Sequence, residues 1–183
     1  MFGWIRNNAD TRRIAREFYG SIVAQARHET FYAAWGVADT PPGRLEVIVM
    51  HLVAALHRLA LEGVAGRRLA FALNECFVTD MDDNMREMGI GDLTVPKRVK
   101  QAAAALFDRH RDYLAGHAAA DDAALSQAIA AAFRLPQDDA CVAHLVSYFR
   151  TLVGHLLTLP ATAVLAGRVT FPEVPLPSLI DRT

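Results

Sequence analysis

Cysteine is scarce in this chain, with only Cys76 and Cys141 present and no CxxC pair or Cys/His spacing suited to a metal. That excludes a disulfide scaffold and predicts two buried thiols in a reducing compartment. An excess of either charge is lacking as well. A formal net charge of -1 gives no electrostatic basis for direct nucleic-acid binding. A clean apolar run of the ~20 residues that a membrane span needs is missing. The most apolar window, Leu45 to Leu61, is interrupted by Glu46, His51, His57 and Arg58 and reads as a core helix. The first residues, up to Arg12 and Arg13, hold few apolar side chains before their charges, so no signal peptide is expected. A cytoplasmic location follows, with Phe2, Trp4 and Ile5 available for peripheral contact with the inner membrane. Sustained period-2 alternation, hairpin dipeptides and repeats of 20 to 50 residues are also absent, which excludes sheet and solenoid architectures.

What is present is helical patterning. Hydrophobic residues make up 52% and charged residues 21% of 183, a composition suited to one ordered domain. From Asp10 to His28, Ile14, Phe18, Ile22 and Ala26 recur at four-residue spacing and predict an amphipathic helix. The aromatic cluster Phe31, Tyr32 and Trp35 then meets the turn signal Asp39-Thr-Pro-Pro-Gly43, and reads as a packed corner or an exposed contact. Arg44 to Glu62 is the long apolar helix, ended by Gly63. Further apolar faces lie in Gly66 to Val78, in a helix opened by Pro96, and in an alanine-rich helix capped by Asp121-Asp122. A strongly apolar helix after Asp138-Asp139 should sit centrally. The expectation is an all-α fold, a single compact domain of about six to seven helices over residues 10–167. A segment 1–9 precedes it, and an extended tail, 168–183, carries Pro172, Pro175 and Pro177.

The segment from Thr79 to Asp92 is unlike the rest, being crowded with carboxylates, methionines and glycines. On a helix, Asp80, Asp83 and Glu87 form one stripe and Met81, Met85 and Met88 another, roughly 130° away. The azimuth of Leu69, Leu73 and Cys76 would continue through the acidic stripe, and unpaired carboxylates are expensive to bury. Two solutions stay open. One is a break, with Thr79 capping a new helix; the other is a continuous helix that leaves the core and offers its acids to solvent or a partner. The methionines read as core or as a soft binding stripe, and Asp82 with Arg86 as an i,i+4 pair. Lys97, Arg98 and Lys100, at the start of the next helix, could pair with the stripe or form a mixed-charge surface.

Chemistry is excluded motif by motif. Asp80-x-Asp82-x-Asn84 opens like a calcium loop, but Met85 and Gly91 stand where that loop needs Gly and a bidentate Glu. No Asp or Glu has His three residues on, as a di-iron bundle requires, and Arg86 interrupts an aspartate-rich magnesium motif at Asp82-Asp83. No phosphate loop, nucleophile elbow or His-Glu-x-x-His word occurs. His51 and His57, six apart, cannot chelate one metal from a regular helix and read as core or boundary residues. No catalytic residue, metal or cofactor is therefore expected. The residues support a binding surface instead.

Several unusual words follow one another in order: Ala26-Arg-x-x-x-Phe31-Tyr32, Gly36-Val-x-Asp39-Thr-x-x-Gly43-Arg44, His51, Arg58-Leu59-x-x-x-Gly63 and Asp80-Met-Asp-x-x-Met85-Arg-Glu-Met-Gly-Ile-Gly-Asp-Leu-x-Val95. Together they resemble the ubiquinol-cytochrome c chaperone family over about residues 10 to 160. The length is similar to that of bacterial members. The resemblance implies a non-catalytic assembly chaperone for respiratory complex III, ubiquinol-cytochrome c reductase. It implies newly made cytochrome b, or another complex III subunit, as client, and a small partner protein beside it. Mitochondrial relatives act at the ribosome exit tunnel and help bring cytochrome b to haem loading. The near-neutral charge here gives no support for the ribosomal contact. On this reading the client surface comprises Tyr32, Asp39, Arg44, Asp80, Asp82, Asp83, Arg86, Glu87 and Asp92. A different class remains open, an all-helical small-ligand protein or enzyme with an apolar cavity for a quinone or isoprenoid. An enclosed, polar-tipped pocket would favour it.

Overall fold

A threonine and two prolines start the helix around which the others assemble. Thr40 Oγ1 accepts the Gly43 N–H at 3.3 Å, and Pro41 and Pro42 fill the first turn, where a missing N–H costs nothing. Gly43 is required there, because a Cβ would come 2.1 Å from the Ala38 carbonyl oxygen. In the computed structural model, which describes residues 2–87, 94–119 and 121–176 and side chains from residue 9 onward, this helix, α3, spans Pro41–Ala60. Its buried residues, among them Val49, Met50, Leu52, Val53 and Leu59, cover more than one face. It is accordingly enclosed by α1 (Phe2–Ala26), α4 (Gly63–Glu87), α5 (Val95–Ala118), α6 (Ala123–Phe133) and α7 (Ala140–Thr158). Each large side chain fully buried in this core contributes about 1.5–3 kcal/mol.

Two helices have five residues each: α2 (Glu29–Ala33) turns the corner between α1 and α3, and α8 (Ala161–Leu165) follows α7. Among the described residues there are six longer helices, these two short ones and no strand, the all-α fold that the patterning predicts. The aromatic cluster is a packed corner, with Phe31 and Trp35 buried and their rings 5.2 Å apart, edge to face. Helix α1 starts at Phe2, earlier than the Asp10 expected from apolar spacing. Its polar residues Arg6, Asn7 and Asn8 interrupt the stripe, but no glycine or proline among them stops the backbone. Cys141 is buried, and burial pushes its thiol up to about 12. Cys76 is only half-buried, which corrects the expectation of two core thiols.

Helix α7 packs on α3 and α6. At 19 residues and a mean hydropathy of 1.3 it is long and apolar enough to cross a membrane, yet half of that window is buried inside the protein. Both of its ends are closed by side chains. Asp139 accepts the Cys141 N–H at 2.8 Å, and the Arg58 guanidinium donates to the Leu156 and Leu159 carbonyls, each at 3.0 Å, while pairing with Glu62.

A candidate client-binding groove

Helix α4 runs unbroken from Gly63 to Glu87, so the break at Thr79 does not occur. Thr79 Oγ1 donates to the Glu75 carbonyl at 2.9 Å, one turn back, instead of capping a new helix. The physical reason lies in how the core line steps. It passes through Leu69, Leu73, Phe77 and Met81, all buried, and not through Cys76. Each four-residue step turns about 40°, which carries the line away from Asp80, Asp83 and Glu87. Met81 is thus core and Met85 half-buried, while Asp83 and Glu87 are exposed.

Asp80 stands at the boundary. It is half-buried, and Tyr19 of α1 donates its hydroxyl to Asp80 Oδ2 at 2.8 Å. Burial and the neighbouring carboxylate raise the Tyr19 pKa, so the phenol stays a donor. Asp80, Met81 and Met85 then form one wall of a groove of about 480 Å³, with Tyr32 and Arg44 on the other side. Val23, Leu45 and Ile48 add apolar surface to it. Tyr32 is oriented by its hydroxyl, which donates to the Ala26 carbonyl at 2.6 Å. The guanidinium carbon of Arg44 lies 5.9 Å from the Tyr32 ring centroid, and its Nε donates to Asp39 Oδ1 at 2.5 Å, which lowers the pKa of that exposed carboxyl.

The structure therefore brings Tyr32, Arg44 and Asp80 together, and ties Asp39 to them through Arg44. Asp82 and Arg86 form their i,i+4 pair at 2.7 Å on the exposed side. Asp83 instead lines a second, open trough of about 970 Å³ between α1 and α4, with Arg12, Arg16 and the exposed Phe71. A third trough, about 420 Å³, is apolar and runs between α4 and α5 beside Phe77, Val78 and the exposed Phe107. Asp92 and Met88 lie outside the described residues. Lys97, Arg98 and Lys100 are exposed and, among the described residues, are not joined to Asp80, Asp83 or Glu87. Sequence reasoning missed Tyr19, Arg27 and Asn84. Tyr19 had a signal, since it stands beside Phe18 on the buried side of α1. Among the described residues no three His, Cys, Asp or Glu side chains meet as metal ligands. The groove and both troughs open to solvent, in contrast to the enclosed pocket that a quinone or isoprenoid site would favour.

Residues 33–171 match the sequence profile of the family described as Ubiquinol-cytochrome C chaperone, which is most of the chain. The chain belongs to this family. It is also similar to the Cbp3 homolog from Brucella abortus, known from a crystal structure. The identity is 34%, with a TM-score of 0.81, and the match covers 93% of this chain and 95% of that one. No curated protein sequence matches it. In this ubiquinol-cytochrome c chaperone, the words that carried the resemblance divide into two groups. Gly36 and Gly63 adopt left-handed φ values of 86° and 58°, Gly43 relieves a backbone clash, and Arg58 closes α7; these build the fold. His51 belongs with them. It is fully buried, its Nδ1 donates to the Val47 carbonyl at 2.8 Å, and its Nε2 accepts from the Tyr148 hydroxyl at 2.8 Å. Burial outweighs the Val47 bond and lowers its pKa to about 4, so the ring is neutral at pH 7. Tyr32, Arg44, Asp80 and Met85 form the other group, and they line the groove.

Proposed function

We propose that this chain is a non-catalytic assembly chaperone of respiratory complex III that holds newly made cytochrome b through the groove and the acidic end of α4. Family membership supports the role, and the observation that carries the site is the meeting of Tyr32, Arg44 and Asp80 with Met81 and Met85 at one partly apolar groove. A nascent membrane protein offers apolar helices flanked by basic residues. Flexible methionine side chains suit the apolar part of such a client, and Asp82, Asp83 and Glu87 beside them suit its basic flanks. The chaperone acts at the cytoplasmic side of the inner membrane, where its client inserts.

Pull-down of the chaperone should recover cytochrome b. The triple charge reversal Asp82→Lys/Asp83→Lys/Glu87→Lys should cut that recovery at least roughly tenfold, the scale of ~1.4 kcal/mol, with thermal stability nearly unchanged. Asp80 is left intact because its loss would also free Tyr19. Normal levels of assembled complex III in membranes of a deletion strain would sink the proposal.

A further inference from the structure

After α8 the backbone turns through Gly167, whose φ of 69° is left-handed and where a Cβ would meet Ile14 Cγ2 at 3.0 Å. Residues 168–176 then run without regular secondary structure over the corner where α1, α2 and α7 meet. The floor of this corner is aromatic. Phe31, Trp35, His51, His144 and Tyr148 pack with neighbouring ring centroids 5.1 to 5.8 Å apart. Below the tail, the polar groups satisfy one another. Tyr148 gives its proton to His51 Nε2 and accepts from Gln25 Nε2 at 3.1 Å.

Two donors remain that face outward, the second N–H of the Gln25 amide and the Trp35 indole N–H. They donate to the carbonyls of Pro172 and Pro175, both at 3.1 Å. These two carbonyls are three residues apart, one turn of a polyproline II helix, and so lie on one side of an extended segment. Prolines at both positions preset φ and leave no N–H to be satisfied. Between them Val174 is inserted, 7% exposed, and before them Phe171 meets the His51 ring edge to face at 5.6 Å. An aromatic floor with an indole donor, read by a Pro-x-x-Pro segment, is a known mode of peptide recognition.

We propose that this corner is a binding groove for extended Pro-x-x-Pro segments, that residues 168–176 occupy it in cis, and that a segment of the same chemistry supplied in trans can replace them. The tail is held by the two proline carbonyls, by Thr170 against His155 and by the packed side chains of Val169, Phe171 and Val174, while the hydrogen bonds among His51, Tyr148 and Gln25 close without it. A floor whose own hydrogen bonds close without the strand is what exchange requires. The inference does not depend on the client groove beside α4.

The test uses the full chain carrying Val174→Asp, which should eject the tail, and a synthetic peptide with the unaltered sequence of residues 168–183. NMR of the Trp35 indole N–H, assigned against Trp4→Phe, reports the groove. Ejection should move that resonance, and the peptide should restore it with a Kd at least roughly tenfold lower than for the unmodified chain, whose groove is already filled. A peptide with both Pro172 and Pro175 changed to Ala should bind at least several-fold more weakly. An unmoved Trp35 resonance in a folded variant, no restoration by the peptide, or equal binding to both chains would overturn the proposal, as would full binding of the alanine peptide. Should the variant fail to fold, a protease site placed after Arg168 in the full chain serves instead. After cleavage, labelled peptide must exchange with the cut tail, and failure to exchange decides against the groove.

Discussion

The end of α3 and the end of α4 each carry an arginine four residues from a carboxylate, and the two pairs do opposite work. Arg58 and Glu62 are 8% and 17% exposed, and Arg58 also holds the last carbonyls of α7. Arg86 and Asp82 are 47% and 35% exposed and sit beside the candidate groove. Identical spacing in sequence thus serves packing in one place and leaves charge available to a partner in the other. What separates them is the surroundings, since a second helix end lies over Arg58, whereas Arg86 and Asp82 stay largely exposed.

Mutations should separate the two pairs. The largest effect is expected from Arg58→Met, which leaves Glu62 without its cation and α7 without its cap. Chemical denaturation should show a loss of about 3–5 kcal/mol, with Glu62→Gln in the same chain recovering part of it. A loss below ~1 kcal/mol would put Arg58 in the same class as Arg86. Next comes His51. Its folded pKa of about 4 lies below the ordinary 6.5, so its contribution is complete above pH 6.5 and drains away as pH falls toward 4. The fall should total about 3 kcal/mol, and it should be missing from the pH profile of His51→Gln, whatever that variant costs at pH 7. Tyr19→Phe removes one hydrogen bond to a half-buried carboxylate and should cost about 1–2 kcal/mol in the same denaturation assay. Asp82→Ala should be the mildest, within about 0.5 kcal/mol, and what it does cost should shrink in high salt. A large cost there would mean that the exposed pair is part of the fold.

Most helices were legible because apolar residues at three- and four-residue spacing meet a helix's 3.6-residue period, and because Asp139 announces a helix start. Thr40-Pro-Pro reads as a turn in the sequence, yet it caps α3 and supplies its first turn three residues before the expected Arg44. The continuity of α4 was not, since it turned on whether the core line steps from Leu73 to Cys76 or to Phe77, and both are apolar. The neighbours decide that choice. The short α2 was hidden because five residues show no period. At the candidate site, Tyr32, Arg44 and Asp80 were named from the sequence, but their meeting was not visible there. Tyr19 and Asp80 are 61 residues apart, and Gln25 and Pro172 are 147 apart; no local pattern encodes such pairs.

One consequence of the unbroken α4 is mechanical. Twenty-five residues make a rod about 37 Å long, clamped near Phe77 and Met81, with Asp83 and Glu87 exposed beyond the clamp. It is a cantilever. Thermal fraying should die out before Met81, so the last turn can adjust to whatever lies against it while the clamp keeps the rest of the protein still.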